Sequence, residues 1–165
     1  DCVSLIRSTI AQLAPVLEPR GGALAFACPA TTELLVAIDP DDAEVLVWRL
    51  LASLAAACGA EEQIALRLDP VIGGGIASAR LTIALPARLA SEDNLFAATA
   101  RGQNSAINAG LFGAGFALRL ARAEAQSAGG SLIRDAAEII LTLPLLTDRR
   151  AEPGDVEDDS TAALA

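Results

Sequence analysis

The sequence predicts an α/β fold, a two-layer α/β sandwich in which one mixed sheet carries about three helices on one face. Two observations support this. Apolar alternation of period two comes in pairs of short segments, and stretches with helical spacing separate the pairs. The order is helix, two strands, long helix, two strands, variable loop, helix with glycines at both ends, two strands, and no repeat period is visible. With 165 residues, 53% of them apolar, the chain is long enough for one domain with a single core.

Each element has local reasons. Residues 3–17, VSLIRSTIAQLAPVL, place Leu5, Ile10, Leu13 and Leu17 at roughly helical spacing, with Pro15 marking a kink or an early end. Gly21-Gly22 breaks the chain. ALAFACP (23–29) then alternates as a strand, and ELLVAI (33–38) is expected as its hairpin partner. Asp39-Pro40-Asp41 is a cap with Pro at or near the first helical position, and 41–58 follows as a helix apolar nearly all round. EQIALRLDP (62–70) and IASARLTIALP (76–86) are strands joined through Gly73-Gly74-Gly75. In the region 87–108 a short helix near 92–100 and a polar loop are expected. In 110–132 the sequence predicts a glycine loop at Gly113 and Gly115, a helix, and a left-handed cap at Gly129-Gly130. SLIRD (131–135) and AEIILTLPL (137–145) form a closing hairpin turning near Asp135-Ala136. From Asp148 on, six acids stand beside two Arg among Pro, Gly and Ser, so 148–165 reads as an acidic, disordered tail after a domain at 1–147.

Absences exclude much chemistry. The chain has no His, Lys, Tyr or Met, and all twelve basic residues are Arg. A Ser-His-Asp triad, a His metal ligand and a phospho-accepting histidine are ruled out within this chain, as are a Walker-type lysine and a Schiff base. A net charge of −9, with one Trp and four Phe, argues against nucleic-acid binding. No apolar run approaches the roughly 20 residues that span a bilayer. Cys2, Cys28 and Cys58 lack metal spacing and read as reduced thiols of a cytoplasmic protein. The chain opens at Asp1 without Met, which reads as a piece whose upstream part is missing. The pairs Glu61-Glu62 and Glu92-Asp93 read as solvated charges, Arg119, Arg122 and Gln126 as a solvated stripe, and Trp48 as core.

Four stretches, in order, carry a family resemblance. DPDDAEVLVWRLLASLAAAC is similar to the N box DPxxLxxxLxNLLxNA of sensor histidine kinases. IALPARLASED resembles their first glycine box, VxDxGxGIxxED, and GAGFAL (113–118) their second, GxGLGL. IILTLPL resembles their closing strand. Over roughly 3–146 the chain thus resembles the histidine-kinase ATPase domain, the Bergerat or GHKL fold shared with gyrase B, Hsp90 and MutL.

The resemblance implies a nucleotide pocket and also marks where this chain departs from it. Ser53 stands where the family's Asn holds Mg²⁺, with Arg49 one turn earlier on the same helix face. Ala84 stands where an Asp reads the adenine amino group, and Pro86 and Arg88 stand where glycines leave room for the base. Gly113 and Gly115 persist, so phosphate binding at a helix start remains open beside the plain reading of loop packing. Ala117 replaces the last glycine, and Arg101 is the one basic candidate in the lid. Ser53, Gly113 and Gly115 are therefore the cofactor-binding candidates, as remnants of a nucleotide pocket. No catalytic and no metal-ligating residue is assigned.

The implied function is that of a degenerate, pseudokinase-like domain in bacterial two-component signal transduction. It would use no cofactor and serve as a protein-interaction or phosphotransfer-supporting module. A response-regulator receiver or a kinase would be its partner, and a homodimer would form through an upstream helical hairpin. The alternative is an active kinase domain that binds ATP and Mg²⁺ through unorthodox contacts. Enzymatic activity stays open between the two.

Overall fold

The computed structural model describes residues 1–28, 33–96 and 109–146, with backbone alone for 109–113. The expected arrangements at 97–100 and in the polar loop, together with Arg101 and the tail 148–165, lie outside the described residues.

Helix α1 spans Cys2–Leu17, with Asp1 as its cap: the carboxylate accepts from the Val3 and Ser4 N–H groups. Pro15 lies inside the helix and does not end it. After a 3₁₀ turn come β1 (Ala23–Ala27), α2 (Pro40–Ala57), β2 (Gln63–Gly73) and β3 (Ile76–Ala84). A single helical turn, α3 (Ala87–Ala90), is followed by α4 (Ala109–Ser127), β4 (Ser131–Asp135) and β5 (Glu138–Pro144). Asp39 caps α2 by accepting from the Asp41 N–H at 2.9 Å, and Pro40 stands at the first turn. Among the described residues no helix is long and apolar enough to cross a membrane.

The five strands form one mixed sheet in the order β1-β2-β3-β5-β4, with β1 parallel to β2 and the other pairs antiparallel. The strand register puts Leu66 and Leu68 of β2 opposite Ile83 and Leu81 of β3, which in turn face Ile139 and Leu141 of β5. These side chains are buried, while their neighbours along each strand are open or half-open. The sheet therefore presents one apolar face. That face is covered by helices, with Leu46, Leu50 and Leu54 of α2 and Leu118, Ala121 and Ala125 of α4 in the same core. Burying each such leucine contributes about 2 kcal/mol.

Three sequence expectations need correction. Residues 33–38 are not the hairpin partner of β1. They provide only an isolated bridge, Val36 to Leu145, and β1 pairs in parallel with β2. Parallel neighbours need a crossover connection, and α2 supplies it. Leu34 is instead buried in the core, and its backbone ties to Asp1 and Cys2. The helix expected near 92–100 is absent from its described part, where the one short helix ends at Ala90. Finally, α4 begins at Ala109, so Gly113 and Gly115 lie within a helix and not in a loop before it.

The double glycine after α4 matches its expected role. Gly129 has φ +74°, the left-handed cap. A Cβ on Gly130 would sit 2.1 Å from the Thr142 carbonyl oxygen, so only glycine lets β4 begin this close to β5.

Glu62, read from sequence as a solvated charge, is a clamp. Its Oε2 accepts from the Gly59 N–H at 2.6 Å and its Oε1 from the Ala87 N–H at 2.7 Å, which joins the end of α2 to the start of α3. Those two bonds hold its carboxyl below the usual 4.5. A depressed folded-state value means stability present above pH 4.5 and lost as pH falls through the folded value. Replacing Glu62 by Gln should lower the melting temperature at pH 7, and the gap from wild type should close on acidification below about 4.5. Thermal melts across pH 3–7 check this; a gap independent of pH contradicts the clamp.

Candidate functional site

The segment most relevant to a nucleotide pocket lies along α2 and α4, where the start of α2 sits beside the end of α4. Arg49 on α2 and Glu124 on α4 form an ion pair across the two helices. The second carboxylate oxygen of Glu124 is buried and has no hydrogen-bond partner among the described residues. Arg49 is thereby committed: its charge is neutralised within the protein and its planar head is oriented by a carboxylate.

Ser53, one turn along α2, is 9% exposed. Its hydroxyl donates to the Arg49 carbonyl at 2.6 Å, the i−4 back-bond that serine makes inside a helix. Gly113 and Gly115 are in α4, and a helical residue's N–H bonds to the carbonyl four residues earlier. Their backbone groups thus extend the helix; its open N–H groups lie before them, at its first turn. A Cβ on Gly115 would meet its nearest neighbour, the Leu95 carbonyl oxygen, at an ordinary 3.9 Å, so this position does not require glycine sterically. Ser53 and the glycines both belong to the facing pair of helices. The polar atoms that would make them ligands are turned to their own helices.

The adenine-reading position comes out differently from the sequence expectation. Ala84 pairs with Glu138 and lies on the open face of the sheet, away from the helices. The residue turned into the core at the end of β3 is Leu85, 7% exposed, whose N–H donates to the Ala137 carbonyl at 2.8 Å. Either residue lacks a side-chain acceptor. Leu89 and Leu95 are buried in the same core. Arg88 and Phe116 are exposed and fill nothing between the helices.

Two cavities open beside these helices. One of about 580 Å³ between the start of α2 and the end of α4 is lined by Asp39, Asp42 and Glu124, with Val45 and Leu120. With Glu124 paired to Arg49, the open charges of its wall are Asp39 and Asp42, and no basic residue lines it, a field unfavourable to phosphate. The other, about 590 Å³ along the outer side of α2, holds Asp41 and Glu44 beside Val45, Trp48 and the neutralised Arg49. Among the described residues no three His, Cys, Asp or Glu side chains converge to hold a metal ion. Cys2 and Cys58 are buried; burial pushes the Cys2 thiol up to about 11 and raises that of Cys58, so neither is a nucleophile at neutral pH.

Several side chains have roles that the sequence reading missed or placed differently. The Arg134 guanidinium donates to the Ala90, Glu92 and Ala136 carbonyls, pinning the segment after α3 to the β4–β5 turn. With Glu62 at the start of α3, this clamps the first-glycine-box segment at both ends by side-chain bonds to backbone. Long-range pairs of this kind leave no local signal. Trp48, expected in the core, is 41% exposed on α2. Phe96 packs under the Arg122 guanidinium at 4.9 Å, so part of the supposed solvated stripe holds the segment after α3 to α4.

Removing Arg49 alone strands a carboxylate that already has one buried, unpaired oxygen, whereas removing both partners does not. Arg49→Leu should therefore destabilise by about 1–3 kcal/mol. Arg49→Leu/Glu124→Leu should recover most of that loss. A double-mutant cycle by urea unfolding measures the coupling, and additive single losses would show that the pair is not coupled.

No family model and no curated protein matches the sequence. Solved structures do match it. The mycobacterial sensor histidine kinase MprB is similar at TM-score 0.58 and 16% identity, over 88% of this chain and 95% of that one. Full-length ShkA in complex with AMPPNP is similar at TM-score 0.60 and 12% identity, over 88% of this chain but 30% of that longer protein. The nucleotide-free catalytic domain of the histidine kinase ThkA is similar at TM-score 0.52 and 12% identity, covering 86% and 90%. Taken with the five-stranded mixed sheet under one helical layer, these likenesses show that the chain has the GHKL-type fold of the histidine-kinase ATP-binding domain.

Proposed function

We propose that this domain works in two-component signalling without using ATP, as a degenerate kinase-like module that supports protein interaction or phosphotransfer. The ion pair across α2 and α4 carries the reading. In a nucleotide-using domain the N-box helix needs free oxygen ligands for the metal; here Arg49 is bound to Glu124 and the Ser53 hydroxyl to its own backbone. The acidic wall of the cavity beside the pair points the same way, since a triphosphate would meet the carboxylates of Asp39 and Asp42 there with no basic residue beside them. The residues present do not fit ATP–Mg²⁺.

The partners proposed are a receiver domain of a response regulator or a kinase, with a reactive histidine supplied from outside these residues, since this chain has none. A cytoplasmic setting and a homodimer formed through an upstream hairpin belong to the same proposal.

Calorimetric titration with ATP–Mg²⁺ tests it. The expected result is no saturable binding, or a dissociation constant weaker than about 100 μM, corresponding to roughly −5.5 kcal/mol. Tighter binding would return the chain to the active kinases and overturn the proposal.

A further inference from the structure

Helix α2 buries much of its length in the core, yet one stripe of it remains open. Asp41, Val45 and Trp48 recur at helical spacing along the same outer groove, which Glu44 also lines. Val45 is 46% exposed and Trp48 41%. Val45 also shares the neighbouring cavity with Leu120 of α4, itself 37% exposed. Phe116, one turn from Leu120 on the same helix, is 61% exposed. The apolar strip thus crosses from α2 to α4, and it sits on rigid helices fixed by core packing below and by the Arg49–Glu124 pair. Open aromatic and aliphatic side chains grouped in this way mark an interaction surface, and tryptophan is the residue type that most often anchors one.

The rim indicates what covers it. Asp41 and Glu44 stand beside the strip, and the ion pairs formed among the described residues engage neither. The one arginine in the groove, Arg49, is already neutralised by Glu124. Among the described residues the rim is therefore a negative edge with no ion-pair partner. A second copy of the same surface would bring a like-charged edge and a further −9 of net charge, so self-association through this strip is disfavoured. We infer that the Val45–Trp48–Leu120 strip docks a partner protein through an amphipathic helix whose apolar face is flanked by Arg or Lys. The inference extends the interaction-module reading given above and takes its surface from the exposed side chains alone.

Trp48 is the chain's one tryptophan, so its fluorescence reports directly on the strip. The probes are two tryptophan-free helical peptides with the same Leu/Ile face, one flanked by Arg and one by Glu, titrated into the whole chain. The Arg-flanked peptide should blue-shift Trp48 emission and protect it from acrylamide. The Glu-flanked peptide should do neither. Asp41→Asn/Glu44→Gln should weaken binding by about tenfold. Glu18→Gln/Glu138→Gln, which removes the same charge elsewhere, should leave it unchanged, and circular dichroism confirms that both variants fold.

Equal binding of the two peptides, no protection of Trp48, or equal weakening by the two charge pairs would each overturn the inference. So would a dimer in sedimentation whose formation buries Trp48, because the occupant would then be a second copy. Nucleotide binding measured separately would refute the proposed function and leave this result standing. Loss of peptide binding would do the reverse.

Discussion

The fold depends on covering one apolar face of a single sheet, and α2 supplies a large share of the buried side chains that do so. Leu46, Leu50, Leu51 and Leu54 are all fully buried, and the same helix is the crossover that lets β1 and β2 run parallel. Helix α4 packs against α2, and its small buried residues Ala114, Ala121 and Ala125 allow close approach. The Arg49–Glu124 pair sits on the seam between these helices. Apolar packing sets the architecture, and the ion pair specifies how the two helices meet.

Much of the architecture was legible because it is local. The Asp39-Pro40 cap, the Gly129-Gly130 stop, the Asp135-Ala136 turn and the alternation of Ile64, Leu66 and Leu68 all act within a few residues, and each appears in the structure as expected. The failures are equally physical. ELLVAI alternates like a strand, but strand pairing is decided by the crossover helix and not by proximity in sequence. Gly113 and Gly115 suggest a loop by composition, yet helical neighbours on both sides outweigh a cost of about 1 kcal/mol per glycine.

The candidate site was legible in its residues and not in its bonds. Arg49 and Ser53 were recognisable by their places on one face of α2. That Arg49 meets Glu124, 75 residues away, could not be read from spacing. The assignment of Ala84 shows a related limit, because a one-residue shift along a strand exchanges the open face for the covered one, and Leu85 is the residue turned inward. Arg134 and Glu62 each join a nearby backbone atom to one 25 or more residues away, and that second contact has no motif.

Whether the guanidinium of Arg49 is held by Glu124 or free to meet an anion decides between a closed and an open pocket. Side-chain nitrogen NMR of arginine, with Arg49→Lys identifying the resonance, observes that group directly. Glu124→Gln should move the Arg49 Nε–H signal, while excess ATP–Mg²⁺ should leave it where it was. An Arg49 signal that ignores the Glu124 substitution and shifts with nucleotide would contradict the account.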